Sequence, residues 1–176
     1  MKLLEPGTLM DGFIIGECIH AGGMAHIYRV EYANADGTAA PGPGFSMAMK
    51  IPRMTAGDGA ENIVSFEVEH RIMQMLSGKH VPRFVAAGDL DRLPYLVMEY
   101  IEGKTLEAIQ EAEVKPDFAE IARLGKETAK ALHSLHRQDA CHLDLRPANV
   151  LMHPAGHAVL LDFGLSCHAH YPDLLA

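Results

Sequence analysis

The residues best suited to chemistry lie in the last third of the chain. His142-Leu143-Asp144-Leu145-Arg146-Pro147-Ala148-Asn149 is followed by Leu161-Asp162-Phe163-Gly164. Asn149 comes five positions after Asp144, and Asp162 thirteen after Asn149. An ionised carboxylate accepts or orients a hydroxyl proton, and a carboxylate beside a carboxamide oxygen offers hard donors to Mg2+. Arg146 puts a cation where charge would develop on a transferring phosphoryl group. Singly, these are ordinary turn and cap residues. As an ordered set they describe one site, delivered by a loop and the end of a short hairpin.

Two further groups lie upstream. Lys50 ends Met47-Ala48-Met49-Lys50, where a lysine among apolar neighbours either snorkels to solvent or is held inward by an anion and a carboxylate. Glu69 is one candidate for that carboxylate; Glu67, on another face of the same helix, competes with it. Between the first two strands runs His20-Ala21-Gly22-Gly23-Met24-Ala25, whose small residues let backbone N–H groups approach a polyphosphate. Alone, this segment reads more readily as an ordinary tight hairpin.

These groups need elements to hold them. Period-two patterns predict strands over Phe13 to Ile19 and His26 to Tyr32, and a third strand over Phe45 to Ile51. The segment Ala39 to Gly44, with Pro41 and Pro43, is expected to be an exposed excursion. Apolar spacing predicts a helix over Glu61 to Leu76, stopped by Gly78. Strands over Arg83 to Ala87 and Tyr95 to Met98 are joined through Gly88-Asp89-Leu90-Asp91. Thr105 is placed to cap a short helix through Glu111. Asp117 is placed to cap a longer one, with Phe118, Ile121, Leu124, Ala129, Leu132 and Leu135 on its apolar face. A hairpin turning through His153 to His157 follows. Strands first and helices second give an α+β fold.

Apolar residues make up 48% of the 176 positions and charged residues 22%, the composition of a globular chain with a core. The net charge of −8 argues against a general binder of nucleic acid or anionic membrane. Neither a secretory signal nor a membrane-length apolar run is present, so a cytoplasmic location is expected. Cys18, Cys141 and Cys167 are far apart in sequence and encode no metal or disulfide framework; Cys141 and Cys167 flank the candidate site, where a redox role is the alternative to the plainer reading as ordinary thiols. The eleven histidines show no tight ligand spacing.

The order of glycine-rich turn, strand lysine, helix glutamate, HxDxxxxN loop and Asp-Phe-Gly resembles that of the protein kinases. Gly22-Gly23-Met24 with Ile27-Tyr28 is most similar to bacterial Ser/Thr kinases of the eukaryotic type, and Met98-Glu99-Tyr100-Ile101-Glu102-Gly103 is similar to the family's hinge. The resemblance implies an antiparallel-sheet N-lobe with one regulatory helix over 1–101, and the beginning of a helical C-lobe over 102–176. It implies ATP and Mg2+ as cofactors and protein Ser/Thr hydroxyls as acceptors. Lys50 would contact the α- and β-phosphates and pair with Glu69. The turn residues His20, Ala21, Gly22, Gly23, Met24 and Ala25, together with Ala48, would line the nucleotide. Backbone groups of Glu99 and Ile101 would hold adenine, with Met98 as gatekeeper. Asp144 would be the base, Asn149 and Asp162 the metal ligands, and Arg146 would replace the usual catalytic-loop lysine.

The chain departs from the family pattern in three places. His20 and Ala25 replace two glycines, and His20 is expected to strain a backbone that suits glycine, weakening nucleotide binding. Leu143 replaces an arginine that in relatives meets a phosphorylated loop, so that contact is not expected to switch this chain on. The chain ends at Ala176, twelve residues after Gly164, before the family's activation segment and later helices. A truncated piece of a longer kinase, a degenerate gene product or a chain completed by another is the expectation, with exposed apolar surface prone to self-association. Alternatives are a non-catalytic nucleotide-binding scaffold and a small-molecule kinase similar to the aminoglycoside phosphotransferases.

Overall fold

The computed structural model describes residues 3–53, 59–88 and 93–170. Most of the expected Gly88 to Asp91 connection, and Leu174 and Leu175, lie outside the described residues. The chain forms two compact units, Met1–Phe66 with Phe84–Tyr100, and Glu67–Arg83 with Ile101–Ala176. No helix among the described residues is long and apolar enough to cross a membrane.

The first unit is an antiparallel sheet of β1 (Leu9–Met10), β2 (Phe13–Ala21), β3 (Ala25–Tyr32), β4 (Met47–Pro52), β5 (Phe84–Ala87) and β6 (Leu96–Glu99). Its spatial order is β1-β2-β3-β4-β6-β5. Period-two alternation sorts the strands into two faces. One face carries the core: Phe13, Ile15, Tyr28, Val30, Met47, Met49, Ile51, Tyr95 and Val97. Its two tyrosines keep partners for their hydroxyls, as buried phenols must. The Tyr28 oxygen accepts from Leu4 N–H at 3.2 Å. Burial, reinforced by the Asp11 carboxylate at its hydroxyl, pushes the Tyr95 phenol up to about 12. Residues 41–44 are exposed, as their prolines predict.

α1 (Gly59–Met75) begins in the first unit and ends in the second. Its apolar residues Val68, Ile72 and Met73 are buried. The second unit continues with β7 (Lys104–Thr105), α2 (Leu106–Glu111), α3 (Phe118–His136), β8 (Ala140–Cys141), a 3-10 turn (Pro147–Asn149), β9 (Val150–Met152), β10 (Ala158–Leu160) and β11 (Cys167–His168). Both expected caps form: Thr105 Oγ1 accepts from Ala108 N–H at 3.1 Å and Asp117 Oδ1 from Glu120 N–H at 2.8 Å. The strands make two small antiparallel sheets, β10-β9-β7 and β11-β8. The architecture is α+β and protein-kinase-like, with the antiparallel sheet in the first unit and most of the helix in the second.

The apolar face expected for α3 needs correction. Leu124, Ala131 and Leu135 are the buried residues, whereas Phe118 is 87% exposed, Ile121 54%, and Ala129 also lies in solvent. The helix packs on β8 and β10, and these short strands cover one stripe only.

Gly103 shows why the short β7 can pair with β9. Its φ is +144°, and a Cβ added there would lie 2.2 Å from the Met152 carbonyl oxygen. Only glycine permits both that conformation and that approach.

Candidate functional site

The second unit gathers the residues of the HxDxxxxN loop around the β9–β10 hairpin. Val150 pairs with Leu160, Leu151 with Val159 and Met152 with Ala158. Beyond the last pair, Leu161 N–H donates to Asn149 O at 2.9 Å. Asn149 and Asp162, thirteen positions apart in sequence, therefore emerge at the same open end of one ribbon. Pro147 suits the first turn of the 3-10 segment, where no N–H is needed. Asn149 N–H closes that turn on Arg146 O at 2.9 Å.

Asn149 is 4% exposed. Its amide nitrogen donates to the Asp144 backbone oxygen at 3.0 Å and to Asp144 Oδ2 at 2.9 Å. One carboxylate oxygen is thus fixed in direction while the carboxylate as a whole stays half-buried. Arg146 Nε lies 3.7 Å from the same oxygen, with both side chains partly in solvent. Such an exposed pair contributes little to stability; its value is to keep a cation beside the carboxylate.

His142 supports this geometry. Its Nδ1 accepts from Asp144 N–H at 3.3 Å, so the proton sits on Nε2, which donates to Leu161 O at 3.0 Å. The ring also packs on Phe163, centroid to centroid at 5.2 Å. Phe163 is fully buried, as is Ser166, whose Oγ donates to His142 O at 3.1 Å. One imidazole thereby ties the Asp144 backbone to the residue preceding Asp162. Sequence reading singled out neither Ser166 nor Phe163 as a support; a serine that donates to a distant carbonyl leaves no periodic signal. Leu143 and Asp162 both adopt left-handed conformations, with φ of 59° and 64°, a strained arrangement for the bulky leucine.

The donor chemistry fits magnesium. The Asn149 nitrogen is engaged by Asp144, which leaves the carboxamide oxygen as the atom that could meet a cation, and Asp162 adds a carboxylate. Mg2+ is usually held by one or two such protein oxygens, with phosphate and water completing its shell. Among the described residues no group of three or more His, Cys, Asp or Glu forms a cage of its own.

In the first unit, register places Lys50 opposite Ile27 on one side and Leu96 on the other, and Ala48 opposite Arg29 and Met98. Ala48, Lys50 and Met98 therefore share the sheet face away from the Met49 core, and His20, opposite Ile27, joins that face. Glu99 ends β6 and Ile101, half-buried, follows outside any strand. Of the two candidate glutamates on α1, Glu67 forms a surface ion pair with Arg71, whereas Glu69 is 2% exposed.

The turn from His20 to Ala25 is closed by Gly22 N–H donating to Ala25 O at 3.0 Å. Arg53 clasps it, donating from Nη1 to Gly22 O at 3.2 Å and from its backbone N–H to Met24 O at 2.8 Å. The expected backbone strain at His20 is absent: His20 is a paired β2 residue and is not among the positive-φ positions. Its ring does affect the turn. A Cβ on Gly22 would lie 2.7 Å from His20 Nε2, so imidazole covers the space a glycine leaves open.

An antiparallel-sheet unit bearing a lysine, joined in sequence to a unit with an Asp/Asn loop and an Asp-Phe-Gly segment, defines a kinase-like α+β chain. The protein kinase domain family matches residues 42–174, and the chain belongs to that family. It is 28% identical over 163 residues to a probable serine/threonine-protein kinase of Clostridium perfringens, covering 89% of this chain and 23% of that protein. It is 29% identical over 166 residues to one from Bifidobacterium longum, covering 92% and 21%. Over 148 residues it is 28% identical to the serine/threonine-protein kinase PrkC of Bacillus subtilis, covering 84% and 22%. The chain thus spans less than a quarter of the length of these curated relatives.

Proposed function

We propose that this chain carries the nucleotide and catalytic-loop residues of a cytoplasmic Ser/Thr protein kinase, transferring the γ-phosphoryl group of ATP to a protein hydroxyl. Residues 1–101 serve the nucleotide and residues 102–176 the chemistry. The observation that carries the reading is the Asn149 amide bonded to Asp144 Oδ2 at 2.9 Å. That bond aims a carboxylate and leaves a carboxamide oxygen beside the Asp-Phe-Gly segment.

In this reading Asp144 receives and orients the acceptor hydroxyl, and takes its proton as the phosphoryl group departs from ATP. Arg146 offsets negative charge at the transferring group. Lys50 holds phosphate oxygens as a point charge, and Glu69 has the helix-glutamate role given by the family resemblance. The backbone of the Gly22-Gly23 turn and the Ala48 side chain contact the nucleotide, while Glu99 and Ile101 hydrogen-bond adenine beside Met98. Asn149 and Asp162 would hold Mg2+, which would supply positive charge to offset that of the phosphates.

His20 favours a second reading, a nucleotide-binding module without turnover, because its ring covers the turn that phosphates would approach. Calorimetric titration with a non-hydrolysable ATP analogue, with and without Mg2+, beside a turnover assay, separates the two. Magnesium-dependent binding, weakened about tenfold or more by Lys50→Ala and by Asp162→Ala, is expected. His20→Gly is expected to tighten it. Binding without turnover selects the module, and a folded chain that binds nothing sinks both readings.

A further inference from the structure

Cys141 and Cys167 are 26 positions apart in sequence, yet they stand directly opposite each other in the β8–β11 ladder. Opposed antiparallel residues have Cα atoms about 4.5 to 5.5 Å apart, inside the span that a disulfide bridges. Their side chains project on the same side of the ribbon. Both are free thiols; Cys141 is exposed and Cys167 half-buried. Burial, then the neighbouring Cys167 thiol, holds the Cys141 thiol above its ordinary range.

The seam around them is stitched on both sides. Ala169 N–H donates to Asp139 O at 2.8 Å, and Ser166 Oγ donates to His142 O at 3.1 Å. These bonds restrict how far the thiols can separate, so little further ordering is needed to join them. Cys18, the third cysteine, lies in β2 and donates from Sγ to His20 O at 3.4 Å.

We infer that Cys141 and Cys167 form a reversible dithiol–disulfide site that reacts with low-molecular-weight disulfides such as oxidised glutathione. Cys141, the more accessible, loses its proton and attacks one sulfur of the small disulfide. A Cys141–glutathione bond forms, the small S–S bond breaks, and one glutathione leaves as thiol. Cys167 then loses its proton and attacks the Cys141 sulfur, forming the Cys141–Cys167 bond and releasing the second glutathione. The protein gives up two electrons and the small disulfide is reduced to two thiols. The loop so closed contains Asp144, Arg146, Asn149 and Asp162, so the bond makes the stiffness of that whole cluster depend on redox state.

The test treats the full chain with oxidised glutathione or with dithiothreitol, alkylates remaining thiols and maps the peptides. Expected is one linked pair joining Cys141 to Cys167 within a single chain, Cys18 still alkylated, and full reversal by dithiothreitol. The unfolding midpoint of the oxidised chain should rise by about 5 °C. Cys167→Ser should stop at a glutathione adduct on Cys141. Stable adducts on both cysteines without a linked pair, linkage to Cys18 or between chains, or an unreactive Cys141 would each overturn the proposal. A linked chain with an unchanged or lower midpoint would overturn it too, since the thiols would then have been brought together only by distortion.

Discussion

In the sheet unit Ile15, Tyr28, Met49 and Val97 are wholly buried; in the second unit Leu135, Leu160 and Phe163 are as deeply buried, yet Leu143, Leu145 and Leu165, beside the loop residues, stand exposed. The sheet's core is made by side chains that meet on one face of its paired strands. Around the second unit's site, order comes from hydrogen bonds that cross loops onto backbone carbonyls: Leu161 N–H to Asn149 O, His142 Nε2 to Leu161 O, Ser166 Oγ to His142 O and Ala169 N–H to Asp139 O. Among the described residues, three of the four non-glycine positions with positive φ, Asp139, Leu143 and Asp162, also lie there. The contrast teaches that the residues fit for chemistry sit where regular structure is thinnest and hydrogen bonding must take over from periodic packing.

The largest expected effect tests the second unit. Gly103→Ala must place a methyl group against the Met152 carbonyl and leave a positive φ, so a loss of about 4 kcal/mol is expected in urea unfolding. Any loss below about 1 kcal/mol would mean that the β7–β9 approach adapts freely. In the sheet unit, Met49→Ala removes a fully buried side chain and is expected to cost about 3 kcal/mol. Met49→Leu should cost under about 1.5 kcal/mol, because a core limited by volume accepts a similar shape. If the two substitutions at Met49 were equally damaging, the sheet would depend on fine geometry as the second unit does.

Acid sharpens the comparison next. Burial, then the Arg53 guanidinium, holds His26 below its ordinary value of 6.5, and burial, then His153, does the same for His157. The unfolded chain therefore takes up protons first. Above 6.5 these groups are neutral in both states, and below it stability falls with pH until the folded-state values are passed. The thermal midpoint should drop between about pH 7 and about pH 5. His26→Gln and His157→Gln, measured separately, show which unit sets that slope; a slope unchanged by both would refute the assignment. The smallest effect is expected at Leu143, where asparagine accepts the left-handed backbone more readily. Leu143→Asn should raise stability by up to about 1 kcal/mol, visible as a small upward shift of the midpoint.

Much of this was legible in the residues. Alternation gave β2, β3 and β4, helical spacing gave α1, and Thr105 and Asp117 marked their helices through capping chemistry that acts locally. The Asp144, Asn149 and Asp162 spacing was legible because a hairpin of regular residues separates its last two members. The two-residue strands β7, β8 and β11 were not, since two residues carry no period; with them went the meeting of Cys141 and Cys167. On α3, two apolar stripes overlap in the sequence, and only packing on β8 and β10 decides that Leu124, Ala131 and Leu135 are covered while Phe118 is not. At His20 the residue type suggested strain, but strand pairing with Ile27 supplies an ordinary backbone.

The β9–β10 ribbon has a consequence for how far such a chain tolerates change. Its turn, His153 to His157, lies three residue pairs away from the end where Asn149 and Asp162 emerge, a distance of about 10 Å. Residues added or removed at that tip leave the paired stem, and with it the two donor groups, where they were. The thirteen-position interval thus measures the length of a ribbon and is not itself a chemical requirement. Insertion at Ala155 should therefore be far better tolerated than insertion of the same peptide beside Leu161.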